Sequence, residues 1–156
     1  MWKQGAAVVC AGLMSLSPVA AAEQAAAAPA VEYDAALAKS LGADERGMRP
    51  YVLVILKTGP TKVTDKEART KMFQGHFANM ERLAGEKKLV MAGPLDGVDG
   101  RRGIFVFATP DIEQAKTYVA TDPVIVNGEM VAEYHKFYGS AGMMMLNEIH
   151  SKIEKK

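Results

Sequence analysis

The sequence predicts an α+β domain, and three observations carry the prediction. Four apolar stretches of strand length alternate with two stretches of helical periodicity in the order βαββαβ. The connections are short and punctuated by Gly, Pro and Asp. The first and third strands, YVLVILKTG from Tyr51 and GIFVFA from Gly103, are apolar on both alternating faces. This order is the split β-α-β arrangement of ferredoxin-like domains, in which both helices cover one face of a single sheet.

The chain of 156 residues opens with a positive start at Met1 to Lys3, an apolar run from Gly5 to Ala20 and the small residues Ala20-Ala21-Ala22 before Glu23. Residues 1–22 read as a secretory signal peptide, which implies a periplasmic or secreted protein. The run is too short for a spanning helix, and no later stretch approaches the ~20 apolar residues such a helix needs, so no stable membrane insertion is expected. A lipid on Cys10 is disfavoured because Val9 is bulky and Cys10 falls early in the apolar run. Cleavage after Ala22 removes Lys3 and the single cysteine, so the 19 basic side chains fall by one to match the 18 acidic ones. A neutral chain selects neither nucleic acid nor an anionic membrane surface by bulk charge, and without a thiol it has no disulfide, thiolate nucleophile or Cys-ligated metal.

Residues 23–50 are expected to form an Ala-rich spacer followed by a short helical arm, VEYDAALAKSL, that stops at Gly42. In the domain itself, residues 51–141, the first strand ends at Gly59-Pro60. Thr64 and Glu67 offer a capping box for a helix from about Asp65 to Glu86. LVMAG (Leu89 to Gly93) is the second strand, Pro94 to Arg102 a turn-rich connection and Gly103 to Ala108 the third strand. Thr109-Pro110-Asp111 reads as a cap residue followed by Pro at the first helical position, and this helix ends before Asp122-Pro123. VAEYHKFY (Val131 to Tyr138) is the fourth strand, and Ala141 to Ile153 a further helix opening the Met-rich segment 142–156.

With both helices on one face, the other face of the sheet is left apolar and bare, and the simplest cover is the same face of a second copy. The expected partner is therefore the chain itself, as a homodimer that the C-terminal helix caps or locks.

KTGP, GHFANMERL, MAGP, RGIFVFA, ATDPVI and EYHKFYGSA, in this order over roughly Tyr51 to Ala141, resemble the YCII-related proteins. The resemblance implies a dimeric α+β barrel of ferredoxin-like protomers with a cleft, and a functional pair made of a His on the first domain helix and an Asp before Pro. These fall on His76 and Asp122. It fixes no single reaction, and the terminal segments lie outside it.

The residues bear on the same pair independently. On a helical wheel His76 falls between Leu83 and Met80 in an apolar sector with Met72, Phe73 and Phe77, so its ring needs a hydrogen-bond partner whether it packs or reacts. Asp122 precedes Pro123 and is suited to cap the next turn through the Val124 or Ile125 amide; one carboxylate can do this and accept from an imidazole as well. Arg69, two turns before His76, reads as solvated or as a cation for an acidic substrate. Met143-Met144-Met145 with His150 invites a Cu(I) site, but consecutive methionines point about 100° apart and suit a packing surface better. His135 alternates away from Tyr134 and Tyr138, and either face of its strand could line the cleft. Gly93-Pro94, Asp96-Gly97 and Asp99-Gly100 join strand to strand and are turns, not a phosphate loop.

Two functional classes follow. One is an enzyme, a lyase or isomerase without a cofactor, in which His76 moves a proton on a small organic substrate and Asp122 holds its tautomer. Ser140 lacks the strand-turn-helix setting of an activated nucleophile. The other is a ligand-binding or structural dimer in which the same pair only satisfies hydrogen bonds.

Overall fold

The computed structural model describes residues 31–155, and the expected signal peptide and the Ala-rich spacer, residues 23–30, lie outside the described residues. Tyr33 onward form one compact unit. Its elements are α1 (Ala35–Ser40), β1 (Met48–Thr58), α2 (Lys66–Gly85), β2 (Leu89–Pro94), β3 (Arg101–Phe107), α3 (Ile112–Val119), α4 (Pro123–Val126), β4 (Met130–Ser140) and α5 (Leu146–Ile153). The four strands form one antiparallel sheet in the order β2-β3-β1-β4. This is the ferredoxin-like α+β fold. Among the described residues, no helix is long and apolar enough to cross a membrane.

Strand alternation builds the core. Val52, Val54 and Leu56 of β1 face the helices, where they meet Phe105 and Phe107 of β3, Met72 and Leu83 of α2, and Ala115 and Val119 of α3. Tyr51, Leu53 and Ile55 point the other way, and Phe137 of β4 lies tilted against Tyr51. The large apolar positions of β1 and β3 thus divide as alternation requires: Phe105 and Phe107 inward, Leu53 and Ile55 outward.

Several boundaries differ from the sequence reading, each for a local reason. The cap of α2 is Asp65, whose carboxylate accepts from the Ala68 amide at 2.7 Å, and not Thr64. Likewise α3 starts at Ile112 with Asp111 as its cap, while Thr109 supplies a hydroxyl to the Asp111 amide. In both places a carboxylate one or two residues further on displaces the hydroxyl, because each reaches an amide of the first turn. β3 begins two residues early, and Val98–Gly100 before it form a 3₁₀ turn with Gly97, Asp99 and Gly100 at positive φ. The C-terminal segment is a 3₁₀ turn, Ala141–Met145, ahead of α5.

The outer face is not wholly bare. Met143 and Met144 pack against Tyr51, Val90 and Val106, so the chain covers one end of this face with its own tail. The Asn147 side chain donates to the Leu89 carbonyl at 2.8 Å and ties α5 to the β2 edge. This packing occupies two of the three methionines weighed as soft-metal ligands. Leu53, Ile55 and Ile104 remain partly uncovered at the centre of the face.

Candidate functional site

The site starts from a contact between two helices. Gly75 lies on α2 next to His76, and a Cβ there would sit 2.9 Å from Cγ of Pro123. Its missing side chain lets α4, and Asp122 ahead of it, approach α2 closely. Asp122 is fully buried and His76 is 7% exposed. The imidazole Nδ1 lies 2.9 Å from one Asp122 carboxylate oxygen and 2.8 Å from the other. Oδ1 also accepts from the Val124 amide at 3.1 Å, so the two roles read for Asp122, helix cap and imidazole partner, are filled together. A buried carboxylate here holds a backbone amide and a ring nitrogen, which meets the requirement that an interior charge be bonded.

Around the ring stand Phe77 at 5.4 Å and Phe73 and Phe105 at 6.0 Å between centroids. His76 lines a pocket of ≈ 390 Å³ between α2 and the end of the sheet, with Leu56, Phe73, Phe77, Phe105, Met130 and Arg102 among its walls. With Nδ1 on Asp122, Nε2 has no hydrogen-bond partner among the described residues. Phe77, placed in the apolar sector by the helical wheel, is 54% exposed, because it forms the rim of this pocket instead of the core. Of β4, Met130 on the helix-facing side lines this pocket; His135 lies on the outer side, bonded to Glu133 at 2.8 Å.

Arg69 stays partly exposed but is paired, and it does not line the pocket beside His76. Its guanidinium donates to Glu129 Oε1 at 2.8 Å and lies over the Phe73 ring, 4.7 Å from the centroid. Glu129 is 4% exposed. The Val63 amide on its other oxygen, with Arg69 second, holds its carboxyl below the usual range. This pair spans the entrance to α2 and the start of β4, and sequence reading missed it because Glu129 sits in a turn with no periodic signal. Asn79 and Thr121 were missed too: Asn79 Oδ1 accepts from the Thr121 hydroxyl at 3.0 Å and from Arg82 at 2.7 Å, a second link between α2 and the residue before Asp122. Asn79 stands one turn after His76, a spacing that could have flagged it. Among the described residues, no group of three or more His, Cys, Asp or Glu is placed to hold a metal ion.

A family model, the YCII-related domain, matches residues 50–137. No curated protein matches the chain. Among solved structures, the 5-chloro-2-hydroxyhydroquinone dehydrochlorinase of Burkholderia phenoliruptrix AC1100, in complex with 2,5-dihydroxybenzoquinone, is 18% identical with a TM-score of 0.42, over 56% of this chain and 92% of that one.

Proposed function

The chain belongs to the YCII-related family, and from that premise we propose that it takes a small organic molecule into the pocket beside His76 and transforms it by acid/base chemistry without a cofactor. The observation that carries the reading is the His76 ring, held through Nδ1 by a buried carboxylate and lining a pocket with Nε2 unengaged. Nδ1–H donates a hydrogen bond to the Asp122 carboxylate, which leaves the Nε2 lone pair as the base. Nε2 takes a proton from an acidic carbon of the substrate, and the imidazolium that forms faces the Asp122 carboxylate. The proton then returns to another carbon, an isomerisation, or assists a leaving group, an elimination. Apolar walls strengthen each of these electrostatic contacts relative to water.

Proton exchange tests this directly. Small enolisable ring carbonyls and phenols incubated with the protein in D2O are expected to lose a C–H signal in the NMR spectrum for at least one compound. His76→Asn should abolish the exchange while the compound still binds. Binding without exchange across the set would favour the non-catalytic ligand-binding reading.

The proposal extends to a homodimer packed through the outer sheet faces, supported by the partly uncovered Leu53, Ile55 and Ile104, and to export. An intact mass of the native protein that begins at or near Glu23, unlipidated, is the result expected for export; a retained, acylated Cys10 would overturn it.

A further inference from the structure

We propose that Arg102 makes the pocket beside His76 selective for small anionic aromatic molecules, single rings bearing a carboxylate or phenolate oxygen. The inference rests on the reading of that pocket as a ligand site and adds the charge and shape of what it holds.

Register places Arg102 there. Leu56 pairs with Gly103 while its neighbour Lys57 pairs with Arg101, so Arg102 is the extra residue of a β-bulge in β3. Strict alternation from Gly103 and Phe105, which face the helices, would send Arg102 to the outer face. It instead lines the pocket on the helix side. Re-aiming one side chain is what a bulge does to a strand. The Arg102 carbonyl accepts from the Leu95 amide at 3.0 Å, which fixes the bulge from the β2 side.

The charge has no other assignment. Among the described residues the Arg102 guanidinium makes neither an ion pair nor a hydrogen bond, whereas Arg49, Arg69, Arg82 and Arg101 each have a partner. Glu129 is near enough to feel Arg102, but its two oxygens are already taken by Arg69 and the Val63 amide. Apart from His76 the remaining walls are apolar, with Phe73, Phe77 and Phe105 offering aromatic surface. Gly93 and Gly103 add no side chain to the cavity, and nothing stands within 4 Å of the place a Gly93 Cβ would occupy. A benzene ring fills a cavity of about 150 Å³, so ≈ 390 Å³ accommodates one ring and its substituents. A planar guanidinium matches a carboxylate with two parallel N–H donors and also stacks on rings.

The test compares benzoate with its neutral isostere benzamide by ¹H–¹⁵N NMR titration, following the Gly93 and Gly103 amides. Wild type is expected to bind benzoate about tenfold more tightly than benzamide, the scale of one charge-assisted contact. Arg102→Gln should erase the preference, and Arg102→Lys should keep part of it. Equal affinity for the two probes in wild type would overturn the anion inference while the pocket stands as a ligand site, an outcome readable even if a variant fails to fold. Absence of shifts from either probe would overturn both. His76→Asn should retain the benzoate preference, which separates charge recognition from proton transfer.

Discussion

Asp122 has two duties on one carboxylate, and its substitutions should separate them. Asp122→Asn keeps an oxygen for the Val124 amide but presents the wrong group to Nδ1, so folding stability should change by about 1 kcal/mol or less while any proton-transfer rate falls by about 10²-fold or more. Asp122→Ala removes the cap and strands a buried imidazole; urea titration should show a loss of about 2–4 kcal/mol. Equal stability losses for the two variants would mean the carboxylate is not shared. Glu129 makes a prediction in pH. Because its pKa is lowered in the fold by the Val63 amide and Arg69, its contribution is present above the ordinary Glu pKa of about 4.3 and fades as pH falls through the lower folded value. The melting temperature of Glu129→Gln should therefore lie below wild type at neutral pH and converge with it in acid. His76 and Asp122 were legible as residues through their motifs and wheel position. Arg102 and Glu129 were not, since a bulge and a turn escape the periodicities by which a sequence is read.

At the scale of elements, the approach of α4 to α2 depends on a hydrogen atom at Gly75. Ala is the better helix former by about 1 kcal/mol, but a Cβ 2.9 Å from Pro123 Cγ forces the two helices apart, at about 1–3 kcal/mol for overpacking. Sterics should win: Gly75→Ala is expected to lower stability and shift the His76 ring resonances as the bond to Asp122 lengthens. Gly85→Ala, at the end of the same helix with nothing within 4 Å, should instead raise stability by up to about 1 kcal/mol. Denaturant midpoints of the pair decide the matter by their opposite signs. The strands were readable as short apolar runs and the two long helices from the Gly, Pro and Asp signals that bound them. Caps were read less well: Thr64 and Thr109 look like caps, yet Asp65 and Asp111 hold the amides. Choosing among adjacent hydroxyls and carboxylates depends on where the backbone turns, which no single residue encodes.

For the whole molecule, the proposed dimer rests on the outer face. Met143 and Met144 shelter its Tyr51 end, and Leu53 and Ile55 are left at the centre, each worth about 1.5–3 kcal/mol when fully buried. Leu53→Asp should therefore convert a dimer to a monomer in sedimentation and lower the thermal midpoint with it. A wild-type protein that sediments as a folded monomer at micromolar concentration would confine the tail to covering its own sheet and end the dimer proposal. An apolar outer face was legible from β1 and β3, and so was a Met-rich packing surface in the tail, but not which residues it meets, since three consecutive methionines carry no period. The central position of β1 has one more consequence, and it concerns time. β1 is flanked by β3 and by β4, with Met48 opposite Ser140, so the earliest strand of the sheet waits for the last before its second edge is closed. Closing so long a loop is slow, and refolding followed by stopped-flow circular dichroism should run in milliseconds to seconds. Substitutions at exposed β4 positions should speed unfolding more than they slow folding.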